Sequence, residues 1–107
     1  MTTKRLRSFV FFDVTTENEL RGGRDFVEIS SGVPDGIRVD IQGNVWVSAG
    51  DGVHCFAPCG TLLGKIFVPE TVSNLTFGGH RENLLFITAT TSVYAIHVNT
   101  KAAVSIR

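Results

Sequence analysis

The sequence predicts an all-β fold made of β-propeller blades, on three observations. The segment Asn44-Val-Trp-Val-Ser48 returns as Leu84-Leu-Phe-Ile-Thr88, and Val53-His-Cys-Phe56 returns as Val93-Tyr-Ala-Ile96. Both pairs share one insertion-free register of about forty residues, a period that belongs to propeller blades. Short runs rich in Phe, Val and Ile alternate with Gly and Pro turns, the composition of half-buried strands joined tightly. No stretch sustains the 3.6-residue period of a helix. A blade cannot bury its faces alone, so blades stack around an axis. The chain of 107 residues has room for about two to two and a half four-stranded antiparallel blades.

The elements follow in order. Arg7 to Val14 reads as a strand of aromatic and β-branched residues. Thr15 to Gly23 reads as a polar loop, and Arg24 to Ile29 as a short strand. Ser30 to Gly36 is a turn carrying Pro34, Asp35 and Gly36. Ile37 and Val39 alternate with Arg38 at period two. Asp40 to Gly43 is a tight turn in which Gly43 supplies a positive φ. Asn44 to Ala49 is a central strand around Trp46, Gly50-Asp51-Gly52 a hairpin turn, and Val53 to Ala57 the returning strand. Thr61 to Val68 is an outer strand stopped by Pro69. The second unit repeats the scheme with strands at Val72 to Phe77, Asn83 to Thr88 and Thr91 to Val98, and a last outer strand at Ala103 to Ile106. The chain thus divides into two outer strands at 7–29 and two blade repeats at about 34–69 and 72–107.

Bulk properties narrow the partners. Ten basic and ten acidic residues cancel, so no net field draws the chain to nucleic acid or an anionic membrane. No apolar run approaches the roughly 18 residues of a membrane span. The apolar run after the basic start is too short for a signal-peptide core, so the expected location is cytoplasmic. Cys55 and Cys59 flank a turn. A lone CxxxC pair lacks the ligand count of a zinc site, and two unpaired thiols are expected.

The run from Pro34 to Ser48, Pro-Asp-Gly-Ile-Arg-Val-Asp-Ile-Gln-Gly-Asn-Val-Trp-Val-Ser, resembles the PDG-x-x-x-D-x-x-G-x-[LV]-[WY]-V-[AS] motif of the SMP-30/gluconolactonase/regucalcin (LRE-like) family. The resemblance continues through Gly52 to Ile66, against G-V-x-V-F-x-P-x-G-x-x-L-G-x-I, and through Ser73 to Gly79 and Leu85 to Thr88. It implies part of a six-bladed propeller whose central channel carries one divalent metal, and hydrolysis of lactones or related esters. The family's metal ligands are a Glu near the start, Asn from middle blades and the Asp of the PDG motif. Only the last maps onto this chain, at Asp35, and the chain corresponds to the C-terminal portion of the family domain.

Asp35 also stands out by itself. The turn before a blade's first strand rims one mouth of the channel, and a carboxylate there suits a hard cation or a general base for water. The competing role is an Asp that caps its own turn. Asn74 sits near the equivalent place in the next unit, as a substrate or outer-sphere contact or as a structural turn amide. Calcium fits oxygen-only ligands best, with zinc, magnesium or manganese as alternatives. His54, His80 and His97 show no ligand spacing; His54 and His97 are expected on a blade surface and His80 in solvent. Asp40 and Asp51 are explained by turn chemistry, and Trp46 and Phe86 are expected to pack between blades. No Ser or Cys sits in a nucleophile arrangement. Two functions follow: a metal-dependent lactonase acting on a small lactone or ester, or a catalytically incomplete, self-associating propeller unit whose blade edges pair with other chains.

Overall fold

A computed structural model of the chain describes residues 8–29, 32 and 34–103. Among these, nine strands form three antiparallel sheets and there is no helix. The first sheet pairs β1 (Ser8–Val14) with β2 (Leu20–Glu28). The second is a meander of β3 (Ile37–Val39), β4 (Val45–Ala49), β5 (Gly52–Phe56) and β6 (Leu62–Phe67). The third runs β7 (Val72–Gly78), β8 (Leu84–Ala89) and β9 (Val93–His97). This is a partial β-propeller, each sheet laid face to face on the next.

Burial on both faces of the second sheet explains the stacking. Val53 and Ile66 point to the third sheet, where they join Val72, Leu75, Leu85 and Ile87 in one core. Trp46 bridges the sheets, meeting Phe77 edge-on at 5.8 Å. Val47, Ala49 and Phe56 point the other way and close a second core with Phe26, Val27 and Ile29. Alternation along β4 and β5 thus feeds two cores at once. Phe86 holds the position in β8 that Trp46 holds in β4. By that alternation it faces away from the second sheet, covering Gly78 at a distance that leaves no space for a Cβ.

The first sheet departs from expectation. β2 begins at Leu20 rather than Arg24, because Gly22 and Gly23 lie inside the strand. A register shift between Phe11 and Asp13 absorbs the positive φ of Gly22, as a bulge does. The ring of Phe12 fills the space where Gly23 lacks a side chain. The outer strand expected at 103–106 lies largely outside the described residues; Ala102 makes an isolated bridge to Asp40.

Asp40 organises the turn between β3 and β4. Its Oδ1 accepts from the Gln42 and Asn44 backbone N–H groups, each at 2.9 Å. Its Oδ2 accepts from Asn44 Nδ2 at 3.1 Å and from Trp46 Nε1 at 2.9 Å. Gly43 takes the expected positive φ of 84°. Burial alone raises the Asp40 carboxyl pKa, but the bonds from Trp46, Asn44 and Gln42 together outweigh it and hold the group below its ordinary value. A second tie joins the 68–71 crossover to the β8–β9 turn. Glu70 accepts from the Tyr94 hydroxyl at 2.6 Å and from the Thr91 N–H and hydroxyl at 2.6 and 2.9 Å. Those bonds, Tyr94 first, bring the Glu70 carboxyl down to about 2.

Replacing Asp40 with Ala strands the buried donors of Trp46 and the turn. Asp40→Ala is expected to lower unfolding stability by about 3 kcal/mol or more in urea titration. A loss below about 1 kcal/mol would show that solvent replaces the carboxylate without cost.

Candidate active site

The site lies where β3 and β7, the first strands of the second and third sheets, come together. The turn 34–36 leads into β3, and Ser48 at the end of β4 holds it. Ser48 is completely buried. Its hydroxyl oxygen accepts from the Asp35 N–H at 3.0 Å and the Gly36 N–H at 2.7 Å, and its own N–H donates to the Gly36 carbonyl at 2.9 Å. Three bonds to one residue thus fix the backbone under Asp35. The Asp35 side chain itself is exposed, and its carboxylate makes no hydrogen bond among the described residues.

Gly36 packs directly on Asn74. A Cβ at Gly36 would meet Asn74 Oδ1 and lie 2.9 Å from Asn74 Cα, so no other residue fits without moving the backbone of β7. This contact brings Asp35 and Asn74, the two residues singled out from the sequence, to the same end of the paired inner strands. Asn74 Oδ1 accepts from the Leu75 N–H at 2.8 Å. Asn74 pairs with Thr88 as Gly36 pairs with Ser48, so its true counterpart is Gly36 rather than Asp35. The Asn74–Thr88 spacing exceeds the Gly36–Ser48 spacing by two residues, and these lie in the β7–β8 hairpin: Phe77 pairs with Leu85, whereas the matching pair in the second sheet is Val39 with Val45.

Thr88 occupies the matching position to Ser48, but it is exposed and bonds a carbonyl rather than N–H groups. Its hydroxyl lies 2.9 Å from Ser73 Oγ and donates to the Asn74 carbonyl at 3.4 Å. The sequence registers Ser48 and Thr88 only as matching ends of the repeated strand. Their shared hydroxyl, in a position otherwise filled by apolar residues, was the available signal for a supporting residue.

The other polar candidates lie elsewhere. His54 is buried rather than on a blade surface, because the face it occupies is covered by the first sheet. Its Nε2 sits 2.7 Å from Asp51 Oδ1, with Lys65 Nζ 3.6 Å from Asp51 Oδ2. Asp51 therefore does more than shape its turn: burial tends to raise its carboxyl pKa, but His54 and Lys65 draw it below the ordinary value. His80 and His97 are exposed. Neither cysteine is in a disulfide. Burial, with Asp40 adding to it, pushes the Cys55 thiol up to about 11, which disfavours a thiolate nucleophile.

Asp35 and Asn74 are oxygen donors of the type a hard divalent cation takes. Such a cation requires about six to eight oxygens, and among the described residues no three His, Cys, Asp or Glu side chains converge. The pair therefore fits as part of a coordination set in donor type and falls short of one in number.

Comparison with known proteins agrees with this architecture. Residues 3–91 match the family model described as the SMP-30/Gluconolactonase/LRE-like region. A gluconolactonase of Zymomonas mobilis is 39% identical over 72 residues, which cover 65% of this chain and 20% of that protein. The gluconolactonase XC5397 from Xanthomonas campestris superposes with a TM-score of 0.70 at 39% identity, covering 75% of this chain and 27% of that one. A structural-genomics X-ray structure assigned to the gluconolactonases superposes with a TM-score of 0.80 at 35% identity, over 96% of this chain and 35% of its own. The chain therefore spans about a fifth to a third of the length of these relatives.

Ser48→Ala removes the acceptor of two turn N–H groups. The expected cost is about 1–3 kcal/mol of stability, with faster hydrogen exchange at the Asp35 and Gly36 amides. Unchanged exchange at those two amides would show that Ser48 does not hold the turn.

Proposed function

The chain belongs to the SMP-30/gluconolactonase/LRE-like family, and from that premise we propose that it supplies part of the active site of a divalent-metal-dependent lactonase. The observation that carries this is Asp35: an exposed carboxylate, without a hydrogen bond among the described residues, on a backbone locked by Ser48, at the end of the inner strands where Asn74 also lies. The substrate class is a small lactone, as the names of the relatives suggest. Asp35, with Asn74 beside it, would contribute oxygen ligands to a divalent cation, calcium foremost, with zinc, magnesium or manganese as alternatives. When bound, such a cation polarises a carbonyl oxygen and acidifies water.

The chain's own residues account for positioning and proton transfer. Asp35 takes a proton from water as the water oxygen adds to the lactone carbonyl carbon. The ring C–O bond then breaks, and the departing oxygen receives a proton, leaving a hydroxy acid. Ser48 keeps Asp35 in place through the turn, at no reorganisation cost during the reaction. The Asn74 amide hydrogens, not used by Leu75, are available to a substrate oxygen.

A specific observation favours a second reading, self-association. Val93 on the edge strand β9 is 69% exposed and Phe67 on the edge strand β6 is 74% exposed. Exposed edges of this kind are prone to pair with another copy of the chain.

Titration of the acid released from an aldonolactone tests the first reading. Asp35→Ala is expected to lower kcat/KM about 100-fold or more, and a chelator to abolish turnover until calcium is restored. Undiminished turnover in the variant would remove Asp35 from the mechanism. Light scattering after size-exclusion chromatography tests the second: a discrete, calcium-stabilised oligomer supports it, and a monomer with and without calcium overturns it.

A further inference from the structure

The opposite end of the inner strands carries a second cavity. β3 and β7 both run away from Asp35 and Asn74, into the turns at 40–44 and 79–83. These turns and the segment 98–101 line an open cleft of about 670 Å³, within the roughly 300–1,000 Å³ of small-molecule sites. Ile41 lies six positions beyond Asp35, roughly 20 Å along an extended chain, so the cleft is distinct from the rim at Asp35.

Its walls are tied to one another. The Ile41 N–H donates to the Lys101 carbonyl at 2.9 Å, the Val98 N–H to the Asn83 carbonyl at 3.0 Å, and the Ala102 N–H to the Glu82 carbonyl at 3.2 Å. The lining is rich in donors: Arg81 and Lys101 carry charge, and Gln42, Asn99, His80 and Thr100 add amide, imidazole and hydroxyl groups. Glu82 is the one carboxylate among the described lining residues. Thr100 Oγ1 is buried and has no hydrogen-bond partner among the described residues. A buried hydroxyl left unmet is costly, and its usual partner is an ordered water behind the wall.

We infer that this cavity binds a sugar-derived anion. Arg81 and Lys101 would hold the anionic end, a carboxylate or a phosphate. Gln42 and Asn99 would meet the hydroxyls of the sugar chain, and Glu82 would accept from one of them. Two fixed cations select against neutral sugars, and the amide-rich wall selects against bare inorganic anions.

Amide NMR spectra of the chain, titrated at constant ionic strength with gluconate, glucose 6-phosphate, glucose and inorganic phosphate, test this. Either sugar anion should shift the Arg81, Thr100 and Lys101 amides saturably, and the tighter of the two identifies the anionic group. Glucose and inorganic phosphate should bind at least tenfold more weakly. The double variant Arg81→Gln, Lys101→Gln should lose tenfold or more in affinity, while Asp35→Ala should leave it unchanged. Both replaced side chains are exposed, and Lys101→Gln alone serves if the double variant does not fold. No saturable shift with either sugar anion, inorganic phosphate binding as tightly, or shifts confined to Asp35 and Asn74 would overturn the proposal.

Discussion

The close approach of β3 and β7 is the contact on which the rest of this structure depends. It needs a glycine at 36, because any side chain there would strike Asn74. It also needs the apolar layer behind it, where Trp46 and Phe77 cross edge-on and Leu75, Leu85 and Ile87 meet Val53. Burial of that layer is the main force holding the sheets face to face. The polar groups at the rim are placed as a consequence: once the inner strands are in contact, the turn before β3 and the start of β7 share one end.

The two ends of these strands are built with opposite chemistry. At one, hydroxyls from Ser48 and Thr88 bond the backbone, and the Asp35 carboxylate makes no hydrogen bond among the described residues. At the other, the Asp40 carboxylate is buried and fully engaged by four donors, and the open groups around it include Arg81 and Lys101. Asp40 is thus structural, while the Asp35 carboxylate makes no hydrogen bond among the described residues. Both sit in turns of similar sequence character, and their partners alone separate them.

Much of this was legible in the sequence. The forty-residue repeat marked the strands that became β4, β5, β8 and β9, and Pro34, Asp35 and Gly36 marked the turn before β3. Features that depend on contacts between distant residues were not legible. Alternation assigned His54 to a face, but whether that face is covered depends on the first sheet. The Gly22-Gly23 pair signals a loop locally, yet pairing with β1 and the ring of Phe12 carry the strand through it. The counterpart of Asn74 is Gly36 rather than Asp35 because the β7–β8 hairpin is two residues longer than the β3–β4 hairpin, which only the strand pairing reveals. Ser48 looked like the end of a strand because its partners lie 12 and 13 residues away.

The central claim is that Asp35 and Asn74 form one rim on a braced turn and together offer oxygen to a divalent cation. A calcium titration of the chain, followed amide by amide by NMR, tests it most directly. Asp35, Gly36 and Asn74 are expected to shift together with one affinity, while the amides around Arg81 and Lys101 stay still. Shifts confined to other residues, or a turn at 34–36 that does not respond up to millimolar calcium, would contradict it.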